Sequence, residues 1–249
     1  MADWIAFGAL VAVVVAVLLV LSAGEQLASS DDGDETGDGD DPLAGPGGLS
    51  WKMLLVNALV VHGLVAAVLL AGAAATAVPF DSFGLPSGDL GLRPVLVGLG
   101  IGLALYVANE VVVAESKLAG LSPDERVREA IAPDTPIGWI LTLTITLPLG
   151  AAAEELLFRG VLIGALSTGF GAPVWLLAVV SSGAFGVAHS AQGAGGILVT
   201  ALLGGALAVV FVVTGSLLVA AVAHYVVNVL EIVLHEGLDL FDDDSPAGA

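Results

Sequence analysis

The sequence predicts an all-α fold: a polytopic transmembrane bundle of about seven spans, with a polar site between helices inside the membrane. Three observations predict it. Apolar residues make up 57% of the 249 positions and charged residues only 12%, giving a mean hydropathy of +0.99. The chain holds 25 acids against six bases, yet the charge is segregated. Eight acids lie between Glu25 and Asp41 and six between Glu231 and Asp244, with no Lys or Arg in either stretch. What remains is largely a series of apolar runs of about 20 residues, the length that crosses a bilayer as a helix.

Composition also excludes function classes. Six Lys and Arg cannot build a phosphate-tracking surface, so nucleic acid is not an expected partner. The absence of cysteine removes a disulfide scaffold, an iron–sulfur cluster, a thiolate zinc site and a Cys nucleophile.

The first apolar run is Trp4 to Leu21, flanked on its N-terminal side only by Asp3. A cleaved signal peptide carries a basic n-region, so this run is expected to stay as an anchor. Ser29 to Gly48, rich in Asp, Gly and Pro, cannot bury enough apolar surface to fold and reads as a solvated linker. The second span runs from Trp51 to about Val78 and stops at Pro79. The third opens at Pro94, which suits a first helical turn, and reaches about Val113. Glu115 to Thr135 is a polar loop holding Lys117, Arg126 and Arg128, and the positive-inside rule places it in the cytoplasm. Within it, Ser122-Pro123-Asp124-Glu125 has capping-box spacing and predicts a short surface helix from that point. Thr135-Pro136 opens a fourth apolar segment that reaches Thr168, interrupted at Pro148 and Gly150. Pro173–Ser190, Gly195–Val213 and Leu217–Leu234 are the remaining spans.

Ionisable residues inside a span are costly to bury and are functional candidates for that reason. They fall in three clusters: Glu154-Glu155-Leu156-Leu157-Phe158-Arg159, Phe185 to His189, and His224 to Asn228. Glu155 and Arg159 stand at i and i+4, so they can pair on one face. Glu154 is rotated by about 100° and is left as the free carboxylate. His224 and Asn228 share a face by the same spacing, and Phe185 stands one turn from His189, where it can wall the pocket. Counting from the turn at Gly169–Ala172 puts Glu154 and His189 at similar depth, about 21–24 Å. Asn228 lies about 18 Å beyond Ser216, so the groups converge. A carboxylate, two imidazoles and an amide enclosed by apolar helices suit amide hydrolysis. Glu154 and His189 can hold and deprotonate a water, while His224 and Asn228 can donate to the oxyanion.

EExxxR, FxxxH and HxxxN, in this order on separate apolar helices, resemble the CAAX prenyl protease and bacteriocin-processing (CPBP, Abi) family of intramembrane proteases. All three motifs match between Glu154 and Asn228, and flanking helices extend the resemblance to about Ile137–Leu234. It implies Glu154 as the catalytic carboxylate, His189 as its partner on the water, and His224 with Asn228 as oxyanion donors. Glu155, Arg159 and Phe185 then serve as structural support. The expected substrate is a peptide or membrane-anchored protein, prenylated or not, cleaved by a multi-pass protein of the cell membrane. No cofactor is required on this reading; zinc held by Glu154, His189 and His224 is the alternative. A proton-coupled transporter and a non-catalytic immunity or binding protein are the rival classes. The chain then divides into an anchor (1–22), an acidic linker (23–50), two spans with a cytoplasmic loop (51–136), the CPBP-like bundle (137–236) and an acidic tail (237–249).

Other polar residues have plainer expectations. His62 has no polar neighbour at helical spacing and reads as packed or interfacial. Asn109 and Glu110 are placed to snorkel. His235 and Glu236, at the end of the last span, are expected to face water. Gly98/Gly102 and Gly160/Gly164 have the spacing that lets helices approach closely.

Overall fold

A computed structural model describes residues 1–31, 51–85 and 91–238; residues 32–50 of the expected linker and 239–249 of the expected tail lie outside these. Among the described residues there is no strand. The helices are α1 (Trp4–Asp31), α2 (Trp51–Ala75), α3 (Leu92–Leu118), α4 (Arg126–Ile131), α5 (Pro136–Phe170), α6 (Val174–Ala188), α7 (Gly193–Thr214) and α8 (Leu217–Gly237). Six of them are long and apolar enough to cross a membrane, and α6 is a shorter apolar helix. The chain is thus an all-helical, multi-pass membrane protein with about seven apolar helices.

Helix ends shift where local chemistry decides them. α1 continues past Leu21 to Asp31, through a stretch that contains no proline. α2 stops at Ala75, short of the expected Val78. Ala77 takes a positive φ of 54°, and the Val78 N–H returns to the Ala73 carbonyl at 2.9 Å. A residue preceding proline is disfavoured in the helical region, and Val78 precedes Pro79. The capping box expected at Ser122 does not form. α4 starts at Arg126, and the Asp124 carboxylate accepts the Arg126 N–H at 3.0 Å.

The expected interruption at Pro148 is absorbed without a break. α5 widens into π-helix over Thr142–Thr146 and again over Leu156–Ala165. The Leu147 N–H bonds the Thr142 carbonyl, five residues back. Pro148 has no N–H to offer Leu143 in the same way. The Tyr225 hydroxyl donates to the Leu143 carbonyl instead, at 2.9 Å, which pins α8 to α5 beside His224.

The two glycines of α3 decide how α3 meets α8. A Cβ added at Gly98 would lie 2.7 Å from Val222 Cβ, and one at Gly102 would lie 2.6 Å from Val226 Cβ. Only a bare backbone fits there. Gly160 and Gly164 face the turn at Phe80–Phe83, with Leu217 of α8 also against Gly160 and Phe211 of α7 against Gly164. α8 is the most buried of the six spans, so its polar residues are enclosed by neighbouring helices.

Candidate active site

A cavity of about 410 Å³ opens between α2, α3, α5, α6, α7 and α8. Glu154, Phe185, His189, His224 and Asn228 all line it. Glu155 and Arg159 do not; both are fully buried behind it. The three motifs therefore meet at one hollow, as their depths predicted.

The two adjacent glutamates occupy different surroundings. Glu155 Oε1 accepts from Arg159 Nη1 at 2.7 Å and from His224 Nδ1 at 2.9 Å. Arg159 donates its other terminal nitrogen to the Gly204 carbonyl at 2.8 Å and lies 4.6 Å from the Phe185 ring centroid. A buried guanidinium needs this many partners, because leaving it unpaired in an apolar interior is very costly. Glu154 is partly open to the cavity, with its side chain 21% exposed. Its Oε2 lies 3.7 Å from His224 Nε2, and its Oε1 lies 3.1 Å from His62 Nε2.

The partners of each ring fix its tautomer. His189 donates Nδ1–H to the Phe185 carbonyl at 2.8 Å, so a neutral ring presents a lone pair at Nε2. His224 donates Nδ1–H to a carboxylate, so any second proton sits on Nε2, facing Glu154. Phe185 packs on both rings, at 4.6 Å from His189 and 5.7 Å from His224 between centroids.

His189 lies at the end of α6, where the sequence placed it inside a span. Fifteen helical residues rise about 22 Å, less than the hydrocarbon thickness of about 30 Å. A 3₁₀ turn over Ser190–Gln192 follows, then Gly193 with φ 74° and ψ −175°, a conformation that in practice only glycine adopts. Ser22 of α1 donates to the Val187 and Ala188 carbonyls at 3.0 and 3.1 Å and meets Ser190 Oγ at 2.7 Å. α1 thus packs directly on the turn that carries His189.

Several expectations are corrected here. His62 is not an idle packed residue and Glu154 is not a free carboxylate, since the two are hydrogen-bonded across 92 positions. Asn109 lines the cavity, and Glu110 lies 3.7 Å from His235 instead of reaching for the interface. Glu236 accepts from Arg128 Nε at 2.6 Å rather than facing water. Arg128 also reaches Glu231 and Glu125, each at 3.3 Å, and so ties α4 to α8 at the rim of the cavity. In this loop the Lys117 hydrogen bond, helped by Arg128 and opposed by burial, holds the Glu125 carboxyl below its ordinary range. Hydrogen bonds from Arg126 do the same to Asp124. Burial opposes the charge on Arg128, but Glu236 and Glu231 outweigh it and hold the guanidinium above its ordinary value.

Glu154, His189 and His224 are donor types that a catalytic zinc would use. Their ligand atoms do not converge as a set. Among the described residues, the group whose ligand atoms all lie within 4.8 Å of one another is Glu110, Glu231 and His235.

Residues 136–230 match the family model described as type II CAAX prenyl endopeptidase, Rce1-like. The chain carries a CPBP-family domain. That CPBP domain contains all of α5, α6 and α7 and both polar motif residues of α8. α1 to α4 lie outside it, and with them His62, Glu110 and Arg128. Neither the curated proteins nor the solved structures gave a match.

Proposed function

We propose that the protein is an intramembrane endopeptidase of the cell membrane, hydrolysing a peptide bond near the bilayer surface in a CAAX-prenyl-protease-like manner. The observation that carries this reading is the contrast between Glu154 and Glu155. One carboxylate opens on the cavity and the other is locked behind it by Arg159 and His224.

On this reading Glu154 takes a proton from a cavity water whose oxygen attacks the scissile carbonyl carbon. His189, which lines the cavity and has Nδ1 committed to the Phe185 carbonyl, orients that water through Nε2. His224 donates Nε2–H and Asn228 its amide to the oxygen on which charge develops. Glu155 supplies the counter-charge for a second proton on His224. The C–N bond then breaks, and the proton held by Glu154 passes to the leaving amine. His62 lines the same cavity and contacts Glu154. Its Nδ1–H is committed to the Ala58 carbonyl at 2.7 Å, so its Nε2 can meet Glu154 only through a proton that the two share. That contact fixes which carboxylate oxygen faces the water.

No step is routed through a metal. The substrate is a peptide or membrane-anchored protein, with a prenylated C-terminal segment one member of that class. The test is incubation of purified protein with membrane-anchored peptides, prenylated and unprenylated, read by mass spectrometry. New termini should form, and should still form after exhaustive chelation. Absence of product from every peptide, together with proton-coupled uptake in liposomes, would favour a transporter instead. Product that disappears with removal of stoichiometric zinc would overturn the metal-independent step.

A further inference from the structure

The turn that carries His189 is held by two segments that lie outside residues 136–230. α6 ends at Ala188, and no following helical turn supplies N–H groups to its last carbonyls. His189 meets two of them itself. Its N–H bonds the Gly186 carbonyl at 3.0 Å, and its Nδ1–H bonds the Phe185 carbonyl at 2.8 Å. The Val187 and Ala188 carbonyls are met by the Ser22 hydroxyl of α1, at 3.0 and 3.1 Å. A hydroxyl has one proton to give. Ser22 gives its own to these carbonyls, so Ser190 is the donor between the two serines, 2.7 Å from Ser22 Oγ and 3.2 Å from the Ser22 carbonyl.

Both serines are buried, Ser22 being 7% and Ser190 3% exposed. α6 is too short to cross the hydrocarbon layer, so this helix end sits where water is scarce and a lost carbonyl partner is not readily replaced. His189 and Gln192 line the cavity, and Ser22 does not. The second clamp is the segment before α4. The Asp124 N–H bonds the Gln192 carbonyl at 2.9 Å, and the Gln192 N–H returns to the His189 carbonyl at 3.0 Å. A Cβ at Gly195 would run into the Leu121 carbonyl, so this segment meets the start of α7 backbone to backbone.

α1 is docked independently of Ser22. Phe7 and Val11, 0% and 2% exposed, pack in the apolar core with Leu69 and Ala73, and the Asp3 N–H bonds the Thr76 carbonyl at 2.8 Å. A change at Ser22 therefore removes hydrogen bonds to the turn without releasing the helix.

We propose that Ser22 is a positioning residue for His189: its hydroxyl completes the end of α6 and so sets where the imidazole stands in the cavity. This rests on the role given to His189 in the proposed hydrolysis. Ser22 touches no reacting atom and acts through the backbone of Val187 and Ala188 and the side chain of Ser190. Without its hydroxyl, two carbonyls lose their donor and the turn shifts to find others, carrying His189 away from the water it orients. A misplacement of about 1 Å can cost about 10²-fold in rate. α1 is then part of the working site, although it lies outside the residues matched to the family.

The experiment uses the full chain in detergent with Ser22→Ala, Ser22→Val and Ser22→Thr. The last two have nearly the same shape, so the difference between them reports the hydroxyl. Val11→Ala is the control, since it loosens the packing of α1 without touching the turn. Two readouts are taken: kcat and KM on a membrane-anchored peptide, and hydrogen exchange of residues 186–195 by mass spectrometry at one pH. Ser22→Ala and Ser22→Val should lower kcat about 10–100-fold with KM nearly unchanged, as loss of a supporting partner does, and should speed exchange in that segment. Ser22→Thr should stay close to wild type in both. Val11→Ala should lower the melting temperature while sparing kcat. Wild-type kcat in both Ser22→Ala and Ser22→Val would overturn the proposal, as would equal losses in Ser22→Val and Ser22→Thr or unchanged exchange in residues 186–195. A kcat loss matched by Val11→Ala would make the effect one of helix docking and overturn it as well. A wild type that cleaves no peptide overturns the hydrolytic reading instead, and exchange then still decides whether Ser22 holds the turn.

Discussion

Replacing Glu155 by Gln isolates the buried charge that organises the site. The side chain keeps its volume and one acceptor oxygen but loses its charge. Glu155 Oε1 is the acceptor for both Arg159 Nη1 and His224 Nδ1, and Glu155 and Arg159 are both 0% exposed. Breaking a buried pair from one side leaves the other charge uncompensated and costs about 3–5 kcal/mol. For a chain of this size a kilocalorie shifts the melting temperature by about 2–4 °C, so the expected loss is roughly 6–20 °C. Thermal unfolding in detergent, followed by circular dichroism, measures it. Adding Arg159→Met removes the stranded guanidinium and should recover part of the loss. Recovery is incomplete because the Gly204 carbonyl loses its Nη2 donor, a cost of about 1–3 kcal/mol. A melting temperature within about 2 °C of wild type for Glu155→Gln alone would refute the buried-pair reasoning.

Three further outcomes are expected. His62→Ala should lower turnover about 10–100-fold with KM nearly unchanged, while His62→Gln, which can still donate to Glu154, should retain more activity; equal losses would argue for packing alone. Asn228→Ala should lower kcat about 10²–10³-fold as loss of an oxyanion donor does, and a KM effect with normal kcat would make Asn228 a substrate-binding residue instead. Glu125 and Asp124 have carboxyls held below their ordinary values, so their contribution to holding α4 is complete above their unfolded values of 4.5 and 3.8. It is lost as pH falls through the lower folded values, so the exchange protection factors in α4, corrected for the intrinsic pH dependence of amide exchange, should fall below about pH 4 and stay unchanged from pH 5 to 7.

What the sequence shows well is whatever lies within a few residues or within one helix length. Apolar runs locate the spans because bilayer thickness sets their length. The i,i+4 spacing predicts the Glu155–Arg159 pair, and the depth count predicts that Glu154, His189, His224 and Asn228 share a hollow. Contacts between distant helices leave no such trace. His62 meets Glu154 across 92 positions and Glu155 meets His224 across 69, so neither partner shows in a local pattern. The sequence signal for His62 is a lone histidine in an apolar helix, a residue that is costly to bury without a partner. His235 and Glu236 misled for a related reason. The end of a span reads as solvent-facing until Arg128 of α4, 108 residues before Glu236, is packed against it. Pro148 marks the first π-helical segment of α5, but a widened turn and a broken helix have the same sequence cue.

The central claim is that Glu154 performs the chemistry while Glu155 supports it. Glu154→Gln keeps size and polarity and removes the base, and its single-turnover cleavage rate, measured beside wild type at matched folding, tests that claim most directly. Unchanged size-exclusion behaviour, a melting temperature close to that of wild type and a rate at least about 10²-fold lower, the range that general-base catalysis contributes, are expected. Cleavage by Glu154→Gln at close to the wild-type rate, from a protein equally well folded, would contradict it.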